Sequence, residues 1–391
     1  MKNGLKNTRS DLLKLVAISI IGQVSVSLLF SLPYAPALGG DSSGFIKIAN
    51  NLPNIPTDYR GYSGYLFVLK IGSLVGSTTW FACIIQMIAV IAGSAALLSL
   101  GRMFKGNRAG WVASSIYLLC PLVNQWTRYV LTESLFYSGV IIVTWLTVRA
   151  LKENRQNWVQ LWIVIFIVSS LRPNGIILLI SVISIVIFSR SWDLKSKIIC
   201  FVSLILILFL VTTSSDSFNS GEETNHFGPH AWIGDVVWNV PEERIEMPKP
   251  VNEDPSNSAY VRYIIDNPKE MTHLALLRIG WELKQVRPWY SKQLNLSTFV
   301  MMTLFYGTAL VGLWRSRKSV LTLTILGITI PFMLLIGITW AIWEGRFGWW
   351  FLVLWTIWSG IGVEVIIDFF KNLTKNSKLA TKKHRIEPSP Y

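Results

Sequence analysis

Cysteine is scarce in this chain: Cys83, Cys120 and Cys200 are the whole complement, each inside an apolar run. That excludes a disulfide framework and a cysteine-based metal site. Charge is sparse too, at 15% of residues against 51% hydrophobic ones. There is no P-loop and no dinucleotide glycine motif, which argues against a soluble nucleotide donor acting from the cytoplasm. Internal repeats of the kind that build inverted-half transporters are missing as well. No small-residue cleavage site stands out after the first apolar run. That run is also too long, and too closely followed by polar loop, for a cleaved signal peptide.

What the chain has is apolar length. Runs such as 12–32 and 321–339 carry little or no charge and reach the roughly 20 residues that cross a bilayer. A net charge of +14 would suit nucleic acid only if the cations clustered on one soluble face. Here they alternate with the apolar runs, as the positive-inside rule expects, so membrane lipids and not nucleic acid are the expected surroundings.

The expected fold is an all-α polytopic membrane protein with about ten transmembrane helices and both termini cytoplasmic. The spans fall near 12–32, 78–100, 109–123, 129–150, 158–171, 175–188, 198–213, 298–314, 319–339 and 349–369. Four divisions follow. Residues 1–214 form a transmembrane module with a first outer loop at 33–77, which carries a surface helix at 43–52 and an interfacial segment at 65–75. Residues 215–297 form one long outer loop with amphipathic helices. Residues 298–370 hold the last transmembrane helices, and 371–391 form a basic cytoplasmic tail, disordered beyond Lys371. Within the long loop, Asn267-Pro268-Lys269-Glu270 reads as an N-cap, a first-turn proline and a capping-box glutamate. Met271, Leu274, Leu277 and Trp281 then share one helical face.

Asp41, just past the first apolar run, is the sharpest candidate for chemistry. It could take the proton of an attacking hydroxyl, or hold a divalent cation such as Mg or Mn. It could equally serve as the N-cap of the helix that follows. Glu133, at the outer start of the fourth span, is either a second acidic group or a first-turn glutamate favoured by the helix dipole. Arg60, Arg128, Arg172, Arg287 and Arg346 lie near helix ends or in aromatic stretches, where snorkelling to headgroups is the ordinary account. A lipid-linked phosphate would need one or two forked donors at that depth. Arg60 and Arg346 are the preferred pair for it, and Arg172, beside Pro173, is either a third donor or a structural plug. Eighteen tryptophans suit an interfacial belt. Trp343, Trp349 and Trp350 are the exceptions allowed to face sugar. The His226–His230 spacing is broken by Gly228 and Pro229, a poor frame for a metal site.

Several short motifs recur in one order: Gly40-Asp41-Ser42, Arg60-Gly61-Tyr62-Ser63-Gly64-Tyr65, Tyr117-Leu118-Leu119-Cys120-Pro121, Leu131-Thr132-Glu133-Ser134-Leu135-Phe136, Ser170-Leu171-Arg172-Pro173-Asn174-Gly175 and Glu344-Gly345-Arg346-Phe347. In this order they resemble the membrane-embedded GT-C glycosyltransferases, in the branch of the protein O-mannosyltransferases and the aminoarabinose transferase of lipid A. The resemblance covers mainly residues 10–215, with an echo at 341–360. It implies a sugar donor carried on a polyprenyl phosphate, transfer on the outer face of a bacterial inner membrane, and inversion at the anomeric carbon. It implies that Asp41 is the base or a metal-associated residue, although the family often has two adjacent acids where this chain has Asp41-Ser42. Tyr62, Tyr65, Trp343 and Glu344 are the expected substrate contacts, and the acceptor is a glycan, lipid or protein. Two other readings stay open: a polysaccharide polymerase or ligase using outer arginines on lipid pyrophosphate, and a transporter or flippase of lipid-linked sugar.

Overall fold

The computed structural model describes residues 4–30, 35–152, 155–189, 227–238, 240–250, 256–342 and 344–384. Helices dominate these segments, and among the described residues β pairing is limited to isolated bridges. Among the described residues, six helices are long and apolar enough to cross a membrane. They are α1 (Gly4–Phe30), α4 (Thr78–Phe104), α6 (Glu133–Lys152), α11 (Lys292–Ser316), α12 (Val320–Ile338) and α13 (Trp349–His384). Three expected spans form shorter helices: α5 (Asn107–Leu119), α7 (Arg155–Ser169) and α8 (Gly175–Ser189). The span expected at 198–213 lies outside the described residues, so the expected ten correspond to nine described helices, of which six have full length.

The core forms around α6. Its apolar window is 78% buried, against 28% for α1 and for α11, so α6 is enclosed while those two face lipid. Leu12, Ile20, Leu28, Phe299, Leu304 and Trp314 are accordingly exposed large apolar residues, which a hydrocarbon solvent accepts. Helices α4, α7, α12 and α13 surround α6. Helices α11 and α13 meet backbone to backbone, because a Cβ at Gly312 or Gly362 would strike the carbonyl of Trp358 or Thr308. Small residues at such contacts let membrane helices approach closely.

Charge is confined to the ends. At one end Arg102 pairs with Asp11 (2.7 Å), Lys105 with Asp368 (3.0 Å) and Arg108 with Glu364 (3.2 Å), tying α1, the α4–α5 turn and α13 together. The opposite end carries α2 (Ser42–Asn50) and α3 (Ser63–Leu74), close to the expected surface and interfacial segments. The expected long outer loop contains α9 (Asn257–Asp266) and α10 (Pro268–Lys284). Met271, Leu274 and Trp281 join Ala231, Val237, Tyr260 and Tyr263 in a second, smaller apolar core.

Three details differ from the sequence reading. Asn267 occupies the N-cap position of α10 without a side-chain cap bond; its amide instead donates to the Tyr263 carbonyl (3.0 Å), closing the preceding helix. Two helices end to end compete for one residue, and the orphan carbonyl of the first takes it. Leu277 is 36% exposed, whereas Arg278 and Glu282 are fully buried beside the apolar face. Finally, α13 continues through the basic tail to His384, since 371–384 contains no glycine or proline to stop a helix.

Candidate active site

The first outer loop is stitched to the strand-like approach to α6. The Ala37 amide donates to the Arg128 carbonyl (2.7 Å), and the Val130 amide to the Ala37 carbonyl (3.0 Å). Ser42 Oγ accepts from the Gly39 amide (2.8 Å) and donates to the Val130 carbonyl (3.0 Å). These bonds hold Asp41 near the start of α6. Asp41 occupies the N-cap position of α2, but its side chain makes no capping bond and its residue is exposed. The carboxylate is therefore not spent on the helix.

The Arg60–Tyr65 motif sits directly on the Ser170–Gly175 motif. A Cβ at Gly61 would lie 2.6 Å from Pro173 Cγ, and one at Gly64 would lie 2.2 Å from Ser170 Oγ, so both positions require glycine for this approach. The Gly64 amide completes the contact by donating to the Ser170 carbonyl (2.9 Å). Above it, Phe45 packs against Tyr59, Tyr62 and Tyr65, with centroid separations of 5.8, 4.9 and 5.5 Å. Tyr65 is fully buried. Tyr62 is half-buried and lies within electrostatic reach of Arg172, Asp41, Glu133 and Arg346; burial raises its phenol above the usual range, so it stays a neutral donor.

At the centre is Glu133, which is 2% exposed. Its Oε1 accepts from Arg172 Nη1 at 2.8 Å and pairs with Arg346 Nη1 at 3.2 Å. Two guanidiniums thus share one carboxylate oxygen. Arg346 Nε stands 3.5 Å from Glu344 Oε2. Glu133 Oε2, Arg172 Nε and Arg346 Nε have no hydrogen-bond partner among the described residues. Aromatic rings flank the pair: Arg172 lies over Trp350 (5.3 Å) and Phe347 (5.8 Å), and Arg346 over Trp126 (5.6 Å). Burial works against the charge of Arg346, yet Glu133, Glu344 and Asp41 outweigh it and raise its affinity for the proton. Burial pushes the Glu344 carboxyl up to about 6; Arg346 pulls it down, while Glu133 and Asp41 push it further up.

Arg172 and Arg346 are thus the two arginines that meet on Glu133. Arg60 is exposed and lies with Arg172 along a cleft of about 500 Å³, lined along the helices by Trp162, Ile165, Phe166, Ile176 and Leu179 and at the arginine end also by Ser169 and Ser170. That cleft is apolar along α7 and α8 and cationic where those two arginines meet it. Arg128 is buried elsewhere, on Gln23 (3.2 Å) and Ser27 (2.8 Å) of α1. Trp349 and Trp350 are 3% and 1% exposed, too enclosed to stack on sugar, and Trp343 lies outside the described residues. His226 lies outside them as well, and His230 Nδ1 bonds Asp235 (2.7 Å). Among the described residues no three His, Cys, Asp or Glu side chains come together to ligate one ion. Glu133 is already committed to two guanidiniums, so the donors among the described residues do not fit a protein-built cation site.

Residues 64–214 match the family model of dolichyl-phosphate-mannose-protein mannosyltransferases. This segment is less than half of the chain, but it holds Gly64, Glu133 and Arg172. The resemblance to GT-C glycosyltransferases is borne out there. Among solved structures, the fold is similar to archaeal oligosaccharyltransferase AglB from Archaeoglobus fulgidus in complex with an inhibitory peptide and a dolichol-phosphate. The TM-score is 0.50 and the identity 13%, over 93% of this chain and 52% of that one. ArnT from Cupriavidus metallidurans bound to undecaprenyl phosphate gives a TM-score of 0.49 and 12% identity, over 96% and 64%. At 13% identity the likeness to AglB is one of fold alone, and the chain spans less than two thirds of either protein's length. No curated protein matches the chain by sequence.

Several neighbours of the site carry no motif. Tyr137, one turn along α6 from Glu133, donates its hydroxyl to the Arg346 carbonyl at 2.7 Å. Glu282 and Gln285 reach the Arg346 loop from the far side. The i,i+4 spacing of Glu133 and Tyr137 on one helix face was the available signal for the first. For the others there was none.

Proposed function

We propose that the chain is an inverting glycosyltransferase that moves a sugar from a polyprenyl-phosphate donor to an acceptor hydroxyl. One observation carries this reading. Two enclosed guanidiniums, Arg172 and Arg346, converge on a single carboxylate oxygen, and an apolar cleft reaches the first of them, with the carboxylate of Asp41, which makes no capping bond, within electrostatic reach of Arg346. In this reading the polyprenyl chain lies along α7 and α8, and its phosphate meets Arg60, Arg172 and Arg346. Guanidinium forks suit phosphate oxygens. The acceptor oxygen attacks the anomeric carbon from the side opposite the phosphate. The sugar–phosphate C–O bond breaks, polyprenyl phosphate leaves with both bonding electrons, and the acceptor proton passes to Asp41. The arginines stabilise the charge that grows on the leaving phosphate in a water-poor site.

Glu133 serves here as the counter-ion that orients the two arginines; paired and buried, it is badly placed to accept a proton. Tyr62 and Glu344 contact the sugar or acceptor, and Tyr65 supports Tyr62 through Phe45. Residues 1–214 form the donor-handling module, 215–297 contribute to acceptor choice, and 298–370 supply the Arg346 loop. The site faces outward from a bacterial inner membrane, with both termini and the ionic cluster around Arg102 in the cytoplasm.

The test is turnover of a panel of radiolabelled sugars on synthetic polyprenyl phosphate in reconstituted membranes, wild type against Asp41→Asn. Transfer or donor hydrolysis by the wild type, lost in the variant, is the expected result. Wild-type turnover that survives in Asp41→Asn would remove Asp41 from the chemistry.

A further inference from the structure

The loop at 342–348 carries both Glu344 and Arg346, and its anchors include α10 as well as α6. Glu282, near the end of α10, is fully buried and accepts two amides of this loop: Ile342 N on Oε1 (2.7 Å) and Gly348 N on Oε2 (2.7 Å). One side chain therefore grips both ends of the loop. Gln285 holds its middle. The amide Nε2 donates to the Gly345 carbonyl (3.0 Å), and Oε1 accepts from Trp349 Nε1 (3.2 Å). Gln285 adopts this pose with a left-handed backbone (φ 54°), an uncommon conformation for a residue with a side chain. Gly345 turns at φ 67°, and a Cβ there would lie 1.9 Å from Arg287 Nη2. Trp281 Nε1 adds a bond to the Ile342 carbonyl (3.2 Å).

We infer that Glu282 is a positioning residue that sets the affinity of the donor phosphate site by holding the 342–348 loop, and with it Arg346, against Glu133. This rests on the phosphate-clamp reading above. From the membrane side the loop is held by Tyr137 on the Arg346 carbonyl and by the Arg346–Glu133 pair. The remaining grip comes from α10, whose Met271, Leu274 and Trp281, on the same buried side as Glu282, belong to the small outer core with Tyr260 and Tyr263. The unit proposed to select the acceptor is thereby mechanically joined to the residue proposed to hold the donor. Movement of α10 cannot leave Arg346 in place, since the bonds to 342, 345 and 348 would have to stretch or break. A buried amide that loses its acceptor costs about 1–3 kcal/mol, so the loop follows the helix.

The experiment measures affinity for undecaprenyl phosphate, used alone as the probe, on the full chain in lipid nanodiscs. Wild type, Glu282→Gln, Arg346→Ala and the double variant are compared, with Arg262→Ala, an exposed i,i+4 pair on α9, as a control. The carboxamide of Glu282→Gln accepts from one loop amide and turns an NH₂ toward the other. Expected are a loss of about tenfold or more in Glu282→Gln, a similar or larger loss in Arg346→Ala, and a double variant within twofold of Arg346→Ala. Unchanged affinity in Glu282→Gln, or losses that multiply in the double variant, would overturn the inference. If Arg346→Ala binds like the wild type, the phosphate clamp itself falls and takes this inference with it. If Arg346→Ala is weak but Glu282→Gln is normal, only this inference falls. Should Glu282→Gln fail to fold, Gln285→Leu removes the hold on Gly345 and Trp349 and must weaken the probe in the same direction, several-fold.

Discussion

Replacing Glu133 by glutamine separates a counter-ion from a reacting acid. The change keeps the shape of the side chain and removes one negative charge from between two guanidiniums at 2.8 and 3.2 Å. Both arginines are enclosed, with side-chain exposures of 7% for Arg172 and 14% for Arg346. Removing one partner of a buried ion pair costs about 3–5 kcal/mol, because the other charge stays desolvated. Here two cations lose one anion, and Glu344 at 3.5 Å compensates part of the charge on Arg346. The carboxamide oxygen also still accepts one hydrogen bond, so about 3 kcal/mol is the expected loss. Thermal unfolding of the full chain in detergent should shift down by several degrees. A bound phosphate supplies the missing anion, so saturating undecaprenyl phosphate should raise the midpoint of Glu133→Gln more than that of the wild type. An unchanged midpoint with complete loss of turnover would refute this reasoning and return Glu133 to the reacting groups.

Three further outcomes are expected. As pH falls through about 6, Glu344 takes up a proton and the site loses one negative charge. The lipid phosphate titrates over the same range, about pH 6, so the wild type should gain affinity for undecaprenyl phosphate relative to Glu344→Gln as pH falls, and a constant ratio between the two would contradict this. Burial pushes Glu282 up to about 7 from an ordinary 4.5. The folded chain then binds a proton that the unfolded chain has released, so stability from this group falls as pH rises from about 4.5 to 7. Glu282→Gln should remove that slope in denaturation curves, and an unaltered slope would contradict it. Gly64→Val places side-chain carbons where Ser170 stands 2.2 Å from a Cβ; overpacking of this kind costs about 1–3 kcal/mol, read as a lowered unfolding midpoint together with weaker donor affinity.

The membrane class and the order of helices were legible because apolar runs of bilayer length leave few alternatives. The two glycine positions of Arg60–Tyr65 and the Ser170–Gly175 turn were visible as motifs, but their mutual contact was not. Nothing in the spacing says that Gly61 and Gly64 lie on Pro173 and Ser170. The meeting of Arg172 and Arg346 on Glu133 was hidden for a related reason: arginines beside aromatic residues look alike in sequence, and only the fold brings these two to one carboxylate. Trp349 and Trp350 read as sugar platforms until packing encloses them. The grip of Glu282 on the 342–348 loop joins positions 60 and 66 residues apart through backbone amides, which carry no side-chain identity to read. Asn267 shows the same limit locally, since a capping residue between two helices can serve either one.

The central claim divides labour between an acid that acts on the acceptor and arginines that hold the donor phosphate. Parallel measurement of undecaprenyl-phosphate affinity and single-turnover release of sugar from its polyprenyl-phosphate donor tests it most directly, for Asp41→Asn and for Arg172→Ala. The account predicts that Asp41→Asn stops release while binding stays within about twofold of wild type, and that Arg172→Ala weakens binding tenfold or more. Release that persists in Asp41→Asn, or undiminished binding in Arg172→Ala, would contradict it.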